Sequence, residues 1–171
     1  QLNAQRCIAF LTQTKTSLPD EFRTKIGNRI YGCDTCQTVC PKNKGKFNMH
    51  QLDFQPDPEI AKPLLLPLLK MTNKEFKTKF GHVSGSWRGK KPIQRNAILA
   101  LAHFKEESSI PDLIDLLVND ERPVIRGTAA WAIGKIGTKE GRAALHQAVV
   151  TETDADVVEE IHKGLAFQTV N

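Results

Sequence analysis

Ala130-Trp131-Ala132-Ile133-Gly134-Lys135-Ile136-Gly137 places small and apolar residues at helical spacing, and it lies inside a repeat. Pro92 aligns with Pro123, Arg95 with Arg126, Ile114 with Leu145 and Val118 with Val149, a period of 31 residues. Each repeat reads as two helices. The first helices span Ile93 to Phe104 and Val124 to Ile136, and the second Pro111 to Val118 and Gly141 to Val150. A third unit opens near Asp156 with Val157, Val158, Ile161 and Leu165. Ala97, Leu101, Ala129, Ala132 and Ile133 let helices approach closely, and Trp131 falls in the core stripe. Such helix pairs cannot bury their apolar faces alone, so they stack into a solenoid.

Two further segments precede this repeat, which occupies residues 91–171. Residues 49–90 are proline-punctuated at Pro56, Pro58, Pro63 and Pro67, with Leu64 to Leu69 predicted as a short buried helix. Thr72-Asn73-Lys74-Glu75 is a capping box that starts a helix through Phe80. Residues 1–48 hold all four cysteines. Ser17-Leu18-Pro19-Asp20 reads there as a helix start and Gly27 as its end. Across the 171 residues, 40% are hydrophobic and 25% charged, an ordinary globular balance. Only 6% are aromatic, which speaks against an all-β sandwich. No run of about 18 apolar residues marks a membrane span. The chain opens on Gln1 rather than Met, which reads as a piece of something longer.

The last three cysteines are spaced Cys33-x2-Cys36-x3-Cys40-Pro41. A bacterial ferredoxin run is C-x2-C-x2-C-x3-C-P, with its final cysteine serving a second cluster. The first position of that run falls on Ile30, which cannot ligate iron, and Cys7 is available to replace it. This predicts Cys7, Cys33 and Cys36 on one 4Fe-4S cluster and Cys40 on another, with further ligands outside the chain. Two other readings compete: disulfides, which intracellular thiols disfavour, and a zinc site built by all four thiolates. The five histidines show no metal spacing.

Charge is uneven. Residues 1–40 carry net +2, residues 41–95 net +8 and residues 96–171 net −5, for a total of +5. Lys74, Lys77, Lys79, Arg88, Lys90, Lys91 and Arg95 cluster in the basic part, with Trp87 interleaved and only Glu75 opposing them. The pattern suits either a solvated basic loop or a phosphate-binding surface with a stacking aromatic.

Ala130 to Gly137 resembles a HEAT-like repeat, a likeness that speaks to fold more than to function. Arg6-Cys7-Ile8 and the string Ile26-Gly27-Asn28-Arg29-Ile30-Tyr31-Gly32-Cys33-Asp34-Thr35-Cys36-Gln37-Thr38-Val39-Cys40-Pro41 are similar to the second cluster motif of the epoxyqueuosine reductase family. The resemblance implies a mostly α fold, in which a ferredoxin-like 4Fe-4S segment is followed by HEAT-like α-α repeats. It implies a cytoplasmic, monomeric oxidoreductase that uses two 4Fe-4S clusters, cobalamin and an external electron donor. Its substrate would be epoxyqueuosine at the tRNA wobble position, converted to queuosine. In that family the cobalamin domain, the acid catalyst and the first cluster run lie N-terminal to the part matched here, so no catalytic residue is expected in this chain. Gly32 and Asp34 are expected on the cobalamin side, and the basic cluster on the anticodon stem-loop. The rival readings are a non-catalytic scaffold with a four-cysteine zinc site and a ferredoxin-type carrier.

Overall fold

The computed structural model describes residues 3–46 and 55–167. The expected boundary at 48/49 and His50 lie outside the described residues. Among these, every regular element is helical. The cysteine segment holds α1 (Ile8–Leu11), α2 (Asp20–Ile26) and α3 (Thr35–Thr38). The connector holds α4 (Pro58–Ala61), α5 (Leu65–Lys70) and α6 (Asn73–Phe80). The repeat holds α7 (Lys90–Phe104), α8 (Ile110–Asn119), α9 (Pro123–Ile136), α10 (Lys139–Thr151) and α11 (Ala155–Ala166). None of these helices is long and apolar enough to cross a membrane.

The repeat has the expected phase. Ala97, Ala129, Ala132 and Ile133 are all fully buried, and Trp131 is buried against Phe167 edge-on, with ring centroids 6.0 Å apart. Helix α7 starts earlier than expected, at Lys90. Pro92 lies within its first turn, where no intrahelical N–H is needed. Helices α9 and α11 meet backbone to backbone, because a Cβ on Gly134 would sit 2.3 Å from the Gly164 Cα.

Two local expectations shift. Helix α2 begins at Asp20, not under a Ser17 cap, and no side chain caps it. Leu18 must be buried and it precedes a proline, so the chain stays extended through Pro19. Helix α5 starts one residue late, at Leu65, and buries Leu68 and Leu69, while Leu64 stays outside it in extended backbone and is 78% exposed. The capping box forms in full. Glu75 N–H donates to Thr72 Oγ1 at 3.2 Å, and Thr72 N–H donates to Glu75 Oε2 at 2.7 Å.

One buried core runs through all three segments, from Leu11, Phe22 and Ile26 through Leu69 and Phe76 to Ile98, Ile133 and Ile161. A buried ion pair ties the cysteine segment to the last helix. Arg23 donates through both terminal nitrogens to the Glu160 carboxylate, through Nε to the Leu18 carbonyl at 2.9 Å, and lies over the Trp131 ring at 5.6 Å.

Candidate metal centre and RNA face

All four thiols are free. Cys7 stands at the N-cap position of α1, with no capping bond from its thiol, and is half-buried, as are Cys33 and Cys40, while Cys36 on α3 is exposed. Gly32 has a φ of 75°, the left-handed turn that a residue without Cβ adopts readily, and it swings the chain into Cys33. Thr35 Oγ1 lies 3.2 Å from Cys33 Sγ and accepts from the Arg29 guanidinium at 3.0 Å. Hydrogen bonding from Thr35 holds the Cys33 thiol below the ordinary thiol range, which favours the thiolate that ligates iron. Pro41 opens a 3-10 turn after Cys40, and Asn43 Nδ2 ties that turn back to the Gln37 carbonyl at 3.1 Å. Among the described residues no three Cys, His, Asp or Glu side chains are grouped closely enough to hold a metal ion, so the ligand assignment rests on the chemistry and spacing of the thiols. Soft, unpaired thiols held on a turn and two short helices fit iron–sulfur ligation. Gly32 has open space where a Cβ would stand, and Asp34 is exposed at the start of α3.

The basic cluster divides. Lys74, Lys77 and Arg88 are exposed. Among the described residues Lys74 and Lys77 have no acidic partner, and the Arg88 guanidinium stacks on the Trp87 ring at 4.0 Å. Trp87 is 62% exposed and donates Nε1–H to Gln13 at 3.3 Å, so it is not packed under the repeat. Lys79 pairs with Glu59 at 3.1 Å. Lys90 donates to the Met71 carbonyl at 2.6 Å, burial lowers its pKa, and Lys91 is half-buried beside it.

Arg95 departs from expectation. It is 1% exposed and its guanidinium donates to the carbonyls of Leu11, Thr14 and Thr16 and to Asn96 Oδ1. Burial, with the nearby Arg23 charge, pulls its pKa down to about 10, so it stays charged at neutral pH. With every donor engaged inside the fold, Arg95 cannot be an RNA contact. Its alignment with Arg126 was the available signal. Arg126 likewise turns inward, to Glu152 at 2.8 Å and the Asp120 carbonyl at 3.0 Å, so the position serves the repeat.

Residues 1–43 match the family described as 4Fe-4S double cluster binding domain, and residues 88–166 match HEAT repeats. The epoxyqueuosine reductase of Bacillus subtilis (strain 168) is 70% identical over 166 residues, which cover 96% of this chain and 43% of that protein. An uncharacterized protein in the gldA 3' region of Geobacillus stearothermophilus is 63% identical over 166 residues, 96% of this chain and 76% of the relative. This chain belongs to the epoxyqueuosine reductase family. A crystal structure of an epoxyqueuosine reductase with an epoxyqueuosine-modified stem loop of tyrosine tRNA superposes with a TM-score of 0.93 at 68% identity, covering 98% of this chain and 44% of that one. The chain thus spans less than half the length of the epoxyqueuosine reductases it matches. Neither a zinc scaffold nor a stand-alone ferredoxin-type carrier is favoured over the epoxyqueuosine reductase family. Thr12 and Asn96, which hold the cysteine turn in place, carry no motif. In sequence Thr12 merely follows the apolar run Ile8 to Leu11, and Asn96 ends the polar triplet Gln94-Arg95-Asn96 of α7.

Proposed function

We propose that this chain is the electron-transfer and tRNA-docking part of an epoxyqueuosine reductase. The carrying observation is the match of residues 1–43 to a double cluster binding domain, with four free cysteines at the expected spacing, in a chain 70% identical to an epoxyqueuosine reductase. Cys7, Cys33 and Cys36 ligate one 4Fe-4S cluster and Cys40 a second. When bound, the clusters and cobalamin supply the two electrons that, with two protons, turn the epoxide into the alkene of queuosine and release water. Residues 1–48 are the electron-transfer unit, 49–90 the connector to the RNA face and 91–171 the supporting repeat. Gly32 and Asp34 face the cobalamin side, where the open space at Gly32 leaves room for close approach. The protein works as a cytoplasmic monomer with an external electron donor.

Lys74, Lys77 and Arg88 contact phosphates of the anticodon arm, and Trp87 offers a ring for stacking, since all four are exposed on one basic stretch. Lys79, Lys90 and Lys91 contribute field rather than direct contacts. The reading is tested on the full-length protein with cobalamin, a reductant and a stem-loop carrying epoxyqueuosine. Mass spectrometry should show loss of one oxygen from the modified base. An unchanged mass with iron and cobalamin bound would refute the assignment.

A further inference from the structure

Two neighbouring side chains of α7 reach out of the repeat into the cysteine segment. Arg95 and Asn96 are both buried, and the Arg95 Nε and a terminal nitrogen donate to Asn96 Oδ1 at 3.1 and 2.9 Å. With its oxygen so engaged, the Asn96 amide can present only Nδ2 to the cysteine segment. That nitrogen donates to the Thr12 carbonyl at 2.8 Å and to the Ile30 carbonyl at 2.7 Å. Thr12 closes helix α1, whose first residue follows Cys7, and Ile30 lies three residues before Cys33. Thr12 completes the link, because its hydroxyl accepts from the Gly32 N–H at 2.9 Å and donates to the Ala9 carbonyl at 2.8 Å.

One amide therefore bridges the helix carrying Cys7 and the turn carrying Cys33, which are far apart in sequence. A cubane needs its thiolates at set separations, and groups behind the ligands tune its potential. We infer that Asn96, oriented by Arg95, is a positioning residue for the cluster held by Cys7, Cys33 and Cys36, so that the repeat sets the geometry of the electron-transfer site. The inference rests on the iron–sulfur reading of the cysteines.

The test uses the full-length protein purified anaerobically, with iron content and the electron paramagnetic resonance spectrum of the dithionite-reduced state as readouts. Asn96→Ala should lose one cluster's worth of iron. Thr12→Val, which keeps shape but removes the acceptor for Gly32, should retain iron and shift the signal of one cluster. Leu113→Ala, a fully buried position on α8, is the control for stability alone. It should lower the melting temperature while leaving iron and spectrum as in the parent. Parental spectra in both Asn96→Ala and Thr12→Val overturn the inference, as does equal iron loss in Leu113→Ala. If Asn96→Ala does not fold, Thr12→Val decides alone. A parent protein without iron overturns the cluster reading and this inference with it.

Discussion

Lys74 and Lys77 lie on the open face of α6, a helix that its capping box fixes at the N-terminal end. Arg88 stands beyond the turn at Ser84–Ser86, stacked on an exposed indole. Counterion release makes each cation on a phosphate visible as salt dependence. The triple change Lys74, Lys77 and Arg88 to Ala should weaken tRNA binding and flatten the plot of log affinity against log salt, by roughly one unit or less for each cation removed from a phosphate. Unchanged affinity and slope would move the docking face elsewhere. Composition revealed that this stretch is basic but not which cations are spent inside. Arg95 has the same chemistry in the sequence as Arg88, and only packing against Leu11, Thr14 and Thr16 turns it into a brace.

Helix α9 is the element on which the stack depends, because α8, α10 and α11 all pack around it. Its inward face is Ala129, Ala132 and Ile133, and Gly134 touches the Gly164 backbone. Replacing Ala132 by Leu should overpack this joint and cost on the order of 1–3 kcal/mol. An unchanged melting curve would place that face in solvent. The joint between α9 and α10 carries a pH signature. Hydrogen bonding from Arg126 holds the Glu152 carboxyl below its usual range. The stability this adds is fully present above about pH 4.3, the ordinary Glu value, and is lost as pH falls through the lower folded value. The stability gap between parent and Arg126→Gln should therefore narrow as pH drops from about 5 to about 3 in urea titrations. A constant gap would show that the pair contributes no proton linkage. These helices were legible beforehand, since a 31-residue period with small residues in phase admits little else. The start of α2 was not, because burial of Leu18 overrides the local capping signal.

Across the whole molecule, the cysteine segment is part of the same buried core as the repeat. Arg23 with Glu160, and Arg95 with Asn96, tie that segment to the repeat helices. The cysteine spacing was plain in the sequence, but the support behind it was not, because Thr12, Ile30 and Asn96 meet only through long-range folding. Trp87, through its bond to Gln13, and Gly85, beside the Tyr31 ring, set the basic, aromatic-bearing stretch next to the cysteine turn, as the proposed function needs. The central claim is that those thiols hold iron–sulfur clusters. Its most direct measurement is metal analysis of the full-length protein purified anaerobically, beside Cys36→Ser. The parent should be brown, with iron and acid-labile sulfide in equal amounts and little zinc, and Cys36→Ser should lose one cluster's worth of both while keeping the rest. Stoichiometric zinc, or equal iron in parent and variant, would contradict it.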